Sequence, residues 1–323
     1  MLSHWLAAGL VMAGTPIAAE PQRLDVEMGV KEQIDSTTTS EEVALGSDGA
    51  DRMTVPVSVG GTGPYQFLVD TGSERTVISR ELARQLRLSS GRSAVLHSVM
   101  GANNIETVHI PHLQVSSNTV SVVDAPALGA SNIGADGMLG IDSLRSQRVM
   151  FDFKTKTMSI TPSNQPLERV EGDTIVVRAR TRGGRLIFTQ AKIHGKRVSV
   201  IVDTGSQVTI ANLALQKLLS KRGHVPIPEM VTIESVTGER MSANVTRVAQ
   251  LELGGVTLTD LSVAFADAHI FRQLDLDDRP ALLLGMNAMK AFDRISIDFA
   301  AKKVRFVLPG TSMRKSFRVA TAS

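Results

Sequence analysis

Phe67-Leu68-Val69-Asp70-Thr71-Gly72-Ser73 is written a second time, 133 residues later, as Val200-Ile201-Val202-Asp203-Thr204-Gly205-Ser206. In each copy three apolar residues run into an Asp-Thr-Gly-Ser turn. By average composition one such four-residue match at a given position has a chance on the order of 10⁻⁵, so a single copy would decide little. The neighbours repeat too, and in the same order. His97-Ser98-Val99-Met100-Gly101 corresponds to Glu234-Ser235-Val236-Thr237-Gly238, and Gly137-Met138-Leu139-Gly140 to Leu282-Leu283-Leu284-Gly285. Arg148-Val149-Met150-Phe151-Asp152-Phe153 then corresponds to Arg294-Ile295-Ser296-Ile297-Asp298-Phe299. The period far exceeds the roughly 20–50 residues of solenoid repeats, so the chain reads as two homologous domains.

Working outward, most of each half reads as strand. Segments rich in Val, Ile and Thr, such as 53–59 and 174–177, are bounded by glycine-rich turns. One short helix per half is expected after the Asp-Thr-Gly-Ser turn, at 81–86 and at 213–218, where helix formers gather. The fold class is therefore all-β, in two lobes. Residues 49–161 form the first lobe and 173–309 the second, joined by a linker over 162–172 in which Pro162, Pro166 and polar neighbours are expected to interrupt pairing. A tail follows over 310–323.

The 323 residues suit two domains, and 42% hydrophobic with 21% charged residues is an ordinary globular composition. Charge is nearly balanced, 35 Lys+Arg against 32 Asp+Glu, so no polybasic surface and no nucleic-acid partner is implied. Cysteine is absent, which excludes disulfides, thiolate catalysis and Cys-ligated zinc together. An apolar run at 5–13, followed by small residues, reads as an export signal over 1–19, although no Lys or Arg precedes it. A polar leader occupies 20–48. No apolar stretch elsewhere approaches the ~20 residues of a membrane span, so a mature periplasmic chain with no stable membrane insertion is the expectation.

An apolar strand ending in Asp is costly, because a carboxylate loses hydration unless hydrogen bonds replace it. Two such strands in matching context point to chemistry. The doubled motif resembles the pepsin and retropepsin superfamily of aspartic proteases over about Thr54 to Leu308. The resemblance implies two β-barrel lobes about a pseudo-two-fold axis, with Asp70 and Asp203 as the catalytic pair at the floor of the cleft between them. It also implies that Thr71 and Thr204 interlock across the axis. Gly72 and Gly205 let backbone N–H groups face the carboxylates, and Ser73 and Ser206 are expected to donate hydroxyl hydrogen bonds to the outer carboxylate oxygens. Met138-Leu139-Gly140 and Leu283-Leu284-Gly285 would pass beneath the loops. Met100, Gly101, Thr237 and Gly238 mark hairpin tips that close over substrate as flaps, with the glycines at positive φ. Pepsins carry one flap with a tyrosine. Here the only tyrosine is Tyr65, beside a catalytic loop, so the pattern is that of two retropepsin-like lobes fused in one chain.

Two carboxylates about 3 Å apart cannot both ionise easily and share a proton, one acting as base and the other as acid. No metal or organic cofactor is required. The reading is an aspartic endopeptidase, monomeric, acting on extended polypeptides, with a mildly acidic to neutral optimum. A catalytically silent peptide-binding module and a dimer-dependent protease are the alternatives. Blander readings suffice elsewhere. Arg178, Arg180 and Arg182 have the spacing of a solvated strand face ahead of a Gly183-Gly184 hairpin, and His109 and His112 match no metal-ligand spacing.

Overall fold

The computed structural model describes residues 53–115, 118–166, 172–221 and 229–309, with the backbone of five short strand pieces between residues 3 and 47. The side chains of the expected export signal and polar leader, and the whole of the tail, lie outside the described residues. Among the described residues no helix is long and apolar enough to cross a membrane.

The first lobe runs β1 (Met53–Val59), β2 (Thr62–Val69), β3 (Val77–Ser79), α1 (Arg80–Gln85), β4 (Ala94–His97), β5 (Ala102–Ile105) and β6 (Thr107–Val115). It continues through β7 (Asn118–Leu128), α2 (Ala130–Ile133), β8 (Gly137–Leu139) and α3 (Ile141–Leu144). Six strands close a barrel in the order β1-β2-β8-β3-β7-β6, with β6 returning to β1. Three strands bridge the halves: β9 (Gln147–Asp152), β10 (Thr157–Pro162) and β11 (Thr174–Arg178).

The second lobe opens with β12 (Arg180–Arg182), β13 (Arg185–Ile193), β14 (Lys196–Val202), β15 (Thr209–Ala211) and α4 (Leu213–Ser220). It continues with β16 (Glu229–Ser235), β17 (Arg240–Leu253), β18 (Val256–Phe265), α5 (His269–Gln273), β19 (Ala281–Leu284) and α6 (Met286–Met289), then β20 (Arg294–Asp298) and β21 (Lys303–Val307). Its barrel order, β13-β14-β19-β15-β18-β17 with β17 returning to β13, is that of the first lobe strand for strand.

The continuous apolar ends of β2 and β14 follow from their place in these barrels. Each is flanked by an antiparallel hairpin partner and by a parallel strand, Gly137–Leu139 or Ala281–Leu284, and is covered on both faces. Phe67, Leu68, Val69, Val200, Ile201 and Val202 are all buried. A strand covered on both faces needs no polar alternation. Burying each such side chain stabilises the fold by roughly 1.5–3 kcal/mol relative to exposure.

The repeated Arg148–Phe153 and Arg294–Phe299 segments do more than close their own lobes. Within them β9 and β20 pair antiparallel with each other, Met150 opposite Ser296 at the centre, in a sheet ordered β11-β21-β20-β9-β10. The register is reciprocal: Arg148 faces Asp298 at 3.9 Å, and Asp152 is paired with Arg294. A segment that pairs with its own homologue in this way places the pseudo-two-fold axis between the lobes.

Three expectations are corrected. Pro162 does not interrupt pairing: it is the last residue of β10, opposite Gln147, and at a strand end its missing N–H breaks no interior ladder. Among the described residues each lobe has three short helices, two besides the one expected. Both α1 and α4 stand where expected, capped by Ser79 and Asn212, whose side-chain oxygens accept from Leu82 and Leu215 N–H at 3.1 and 2.9 Å. The other four span only four or five residues, too short for a 3.6-residue apolar period to show in sequence. The arginines at 178, 180 and 182 do not share one strand face either. Arg178 ends β11 in the inter-lobe sheet, whereas Arg180 and Arg182 belong to β12 of the barrel, which pairs with β13 through Gly183-Gly184.

Candidate active site

Each Asp-Thr-Gly-Ser loop leaves its buried strand by the same route. The Asp70 and Asp203 N–H groups donate to Leu139 O and Leu284 O at 3.0 and 3.1 Å, which continues the parallel pairing with β8 and β19. The chain then turns so that Gly72 N–H donates to Asp70 Oδ1 at 2.8 Å and Gly205 N–H to Asp203 Oδ1 at 3.0 Å. Support comes from below. A Cβ on Gly140 would lie 2.4 Å from the Arg75 carbonyl carbon, and one on Gly285 would lie 2.4 Å from Val208 O. Only glycine lets these strands pass so close beneath the loops.

The loops meet at the axis. Thr71 N–H donates to Thr204 Oγ1 at 3.0 Å and Thr204 N–H to Thr71 Oγ1 at 3.1 Å. Thr71 Oγ1 in turn donates to Val202 O at 3.0 Å, and Thr204 Oγ1 to Val69 O at 2.6 Å. Each hydroxyl thus accepts from one lobe and donates to the same lobe, tying the two aspartate-bearing strands together. The consequence for the acids is direct. A Cβ on Gly205 would lie 2.4 Å from Asp70 Cγ and 2.5 and 2.6 Å from its two oxygens. The carboxyl group of one loop therefore rests against the glycine of the other, and Asp70 and Asp203 are both fully buried.

Burial, and next to it the charge of Asp70, push the pKa of Asp203 well above the ordinary carboxylate range. Arg185 and the Gly205 N–H pull the other way without cancelling the rise. Two buried acids so placed titrate as a pair, and the pair retains a proton where free carboxylates would not.

Ser73 and Ser206 are placed differently from expectation. Their hydroxyls donate to Arg75 O at 2.8 Å and Val208 O at 2.7 Å, two residues on, and not to the carboxylates. A serine hydroxyl has one proton, and here it closes a local turn by satisfying a carbonyl that the turn leaves buried. Beneath, Thr76 and Thr209 play matching parts that the sequence reading missed. Each donates its hydroxyl and N–H to one side-chain oxygen, Asp142 Oδ1 or Asn287 Oδ1, and each accepts from the Gly140 or Gly285 N–H. Thr76 and Thr209 share the 133-residue offset, so the repeat itself carried the signal.

The four flap residues sit at two hairpin tips, between β4 and β5 and between β16 and β17. Gly238 has φ +84°, whereas the Gly101 turn is closed instead by Ser98 Oγ, which accepts from the Met100 and Gly101 N–H groups at 3.1 Å. Positive φ at Gly101 was therefore not required. The tips cross. Val99 and Met100 of the first lobe pack into the apolar cluster around Ile201, Ile210 and Ile270, while Val236 of the second packs with Leu68, Val77 and Met138. A polar contact follows the same crossing, Ser98 Oγ donating to Glu239 Oε2 at 2.9 Å, an oxygen that also accepts from Thr237 Oγ1 of its own hairpin at 3.1 Å. His97 Nδ1 lies 2.9 Å from His269 Nε2, with the rings 9° from parallel, and His269 N–H donates to Val99 O. No sequence motif announced this histidine pair.

The aspartyl protease family model matches the chain twice, over residues 55–143 and 189–288, one match on each barrel. The chain belongs to the aspartyl protease family. Both matched stretches contain an Asp-Thr-Gly-Ser loop and the apolar-apolar-Gly strand beneath it, so the duplicated retropepsin-like architecture read from the repeat is that of the family. No curated protein matches the chain.

Proposed function

We propose that this member of the aspartyl protease family is an endopeptidase in which Asp70 and Asp203 together activate one water molecule against a peptide bond. The observation that carries this reading is the contact of the Asp70 carboxyl with Gly205, which brings the two acids to one point on the axis. With one proton on the pair, the ionised carboxylate takes a proton from water as its oxygen attacks the carbonyl carbon. The protonated carboxyl gives its proton to the carbonyl oxygen and so stabilises the tetrahedral intermediate. Collapse of that intermediate breaks the C–N bond: one of its hydroxyls returns a proton to the carboxylate that had given one, and the leaving nitrogen takes up the proton gained from water. The crossed hairpins suit an extended polypeptide held by strand-like backbone hydrogen bonds. Both acids come from one chain, which supports a monomeric enzyme, and the apolar N-terminal run supports export to the periplasm.

Casein digestion across pH 3–8 tests the proposal. The parent should cleave, Asp70→Asn and Asp203→Asn should each lose at least about 10³-fold in rate, and both should keep the parent's circular dichroism. Peptide binding without cleavage by the parent would point to the silent module. Specific activity that falls on dilution would point to a dimer.

A further inference from the structure

Arg185 heads the fully buried side chains by volume among the described residues, with no exposed surface at all. Its Nη1 donates to Gly183 O at 3.2 Å and stands 3.7 Å from Glu74 Oε1, whereas Nε and Nη2 have no hydrogen-bond partner among the described residues. A guanidinium stripped of water and left two-thirds unsatisfied is a poor way to hold a fold together, and an apolar residue of similar volume would serve packing better. Its position gives it a different task. Arg185 opens β13, whose Ile187 lies opposite Ile201, two residues before Asp203. Glu74 belongs to the other lobe and follows the Asp70–Ser73 loop directly. Three charged groups act on the guanidinium: Glu74, Asp203 and Asp70.

We propose that Arg185 is a positioning residue of the aspartate pair: its buried positive charge keeps one of the two carboxyls ionised, and Glu74 attenuates that charge from across the lobe boundary. The inference rests on the reading of Asp70 and Asp203 as the catalytic couple. Two carboxyls buried together with nothing to oppose them would retain both protons, and no base would remain to activate water. Among the described residues Arg185 is the side chain that pulls Asp203 down, together with the Gly205 N–H. Burial pushes the guanidinium's own pKa down, against Glu74, Asp203 and Asp70, but arginine starts so high that it stays charged.

Glu74 does not cancel this charge, because the two ends of the ion pair see different surroundings. The Glu74 side chain is 25% exposed and borders a cavity of about 270 Å³ shared with Arg75, Ile141, Asp142, Arg145 and Gly184, while Arg185 is 0% exposed. Water screens the acid more than the cation, so the net field at the aspartates is positive. The repeat adds a second difference. At the 133-residue offset Arg185 corresponds to Arg52, which lies outside the described residues, but Glu74 corresponds to the neutral Gln207. The attenuating acid is thus present on one side only.

The test follows the carboxyl ¹³C resonances of Asp70 and Asp203 through a pH titration of the full chain, and kcat/KM for a peptide over the same range. Arg185→Gln should move the pair's titration and the acid limb of kcat/KM to higher pH, with about a tenfold loss of rate at the acid end. Glu74→Gln should move both to lower pH. A merely structural ion pair predicts loss of stability in both variants with no opposed movement, so shifts in the same direction, or none, overturn the proposal. If Arg185→Gln does not fold, the partly exposed Glu74→Gln decides the matter by its direction alone. Titrations that move as stated in a chain that cleaves no peptide would uphold the role of Arg185 and reject the proposed function instead.

Discussion

Replacing Thr71 by valine keeps the shape of the side chain and deletes one oxygen at the centre of the molecule. That oxygen accepts from Thr204 N–H at 3.1 Å and donates to Val202 O at 3.0 Å. Both partners are buried, as is Thr71 itself, so no water replaces it. Each stranded polar group costs about 1–3 kcal/mol, so Thr71→Val should lose about 2–6 kcal/mol, a large part of the 5–15 kcal/mol typical of a domain. The bond from Thr71 N–H to Thr204 Oγ1 survives, which keeps the loss below that of the Thr71→Val, Thr204→Val double variant, in which four groups are stranded. Thr71→Ser retains the oxygen and forfeits a methyl, so it should cost only about 1 kcal/mol. Urea unfolding gives the stabilities, and kcat/KM on a fluorogenic peptide shows whether the Asp-Thr-Gly-Ser loops have slackened along with them. Valine within about 0.5 kcal/mol of the parent, with serine no better, would refute the claim that these hydroxyls hold the lobes in register.

Acid should weaken the inter-lobe sheet through Asp152. Burial alone would raise its pKa, but the Thr155 N–H and Arg294 outweigh that and hold it below the ordinary range. As pH falls, the unfolded chain takes up this proton first, so the stabilisation is complete above the ordinary carboxylate value of about 3.9 and disappears as pH falls through the lower folded value. Thermal unfolding between pH 6 and 2.5 should show a drop for the parent that is smaller in Asp152→Asn; equal drops would remove Asp152 from the account. The flap crossing should loosen in acid for a related reason. Burial first, then Arg272, lower the pKa of His269 against the pull of Glu239, and the bond to His97 needs one ring nitrogen free to accept. The unfolded imidazole is protonated first, near pH 6.5, so this contribution is full above that value and lost as pH falls through the folded one. His269→Ala should raise amide exchange at residues 98–101 about fivefold near neutrality, equivalent to about 1 kcal/mol. Unchanged exchange would show that the apolar crossing of Val99 and Val236 suffices.

Much of the architecture and both aspartates were readable without coordinates, because a duplicated loop is a one-dimensional signal. Asp70 and Asp203 each end an apolar strand covered on both faces, and such a strand shows in sequence as an unbroken apolar run. The helices α1 and α4 were readable for the same kind of reason, being long enough to gather helix formers.

What sequence could not disclose are the choices made when the halves meet. The position of Ser73 and Ser206 in the motif points to the carboxylates, yet one hydroxyl proton serves one acceptor, and a neighbouring carbonyl two residues on claims it. The pairing of β9 with β20, the contact of His97 with His269 and the reach of Arg185 to Glu74 join residues far apart in the chain. No local pattern encodes such contacts; they arise from the axis about which the barrels pack. The repeat therefore determined that there would be two acids and two barrels. Tertiary structure alone decided which charges surround those acids, because a buried charge acts through distance in a low-dielectric interior and not through order along the chain.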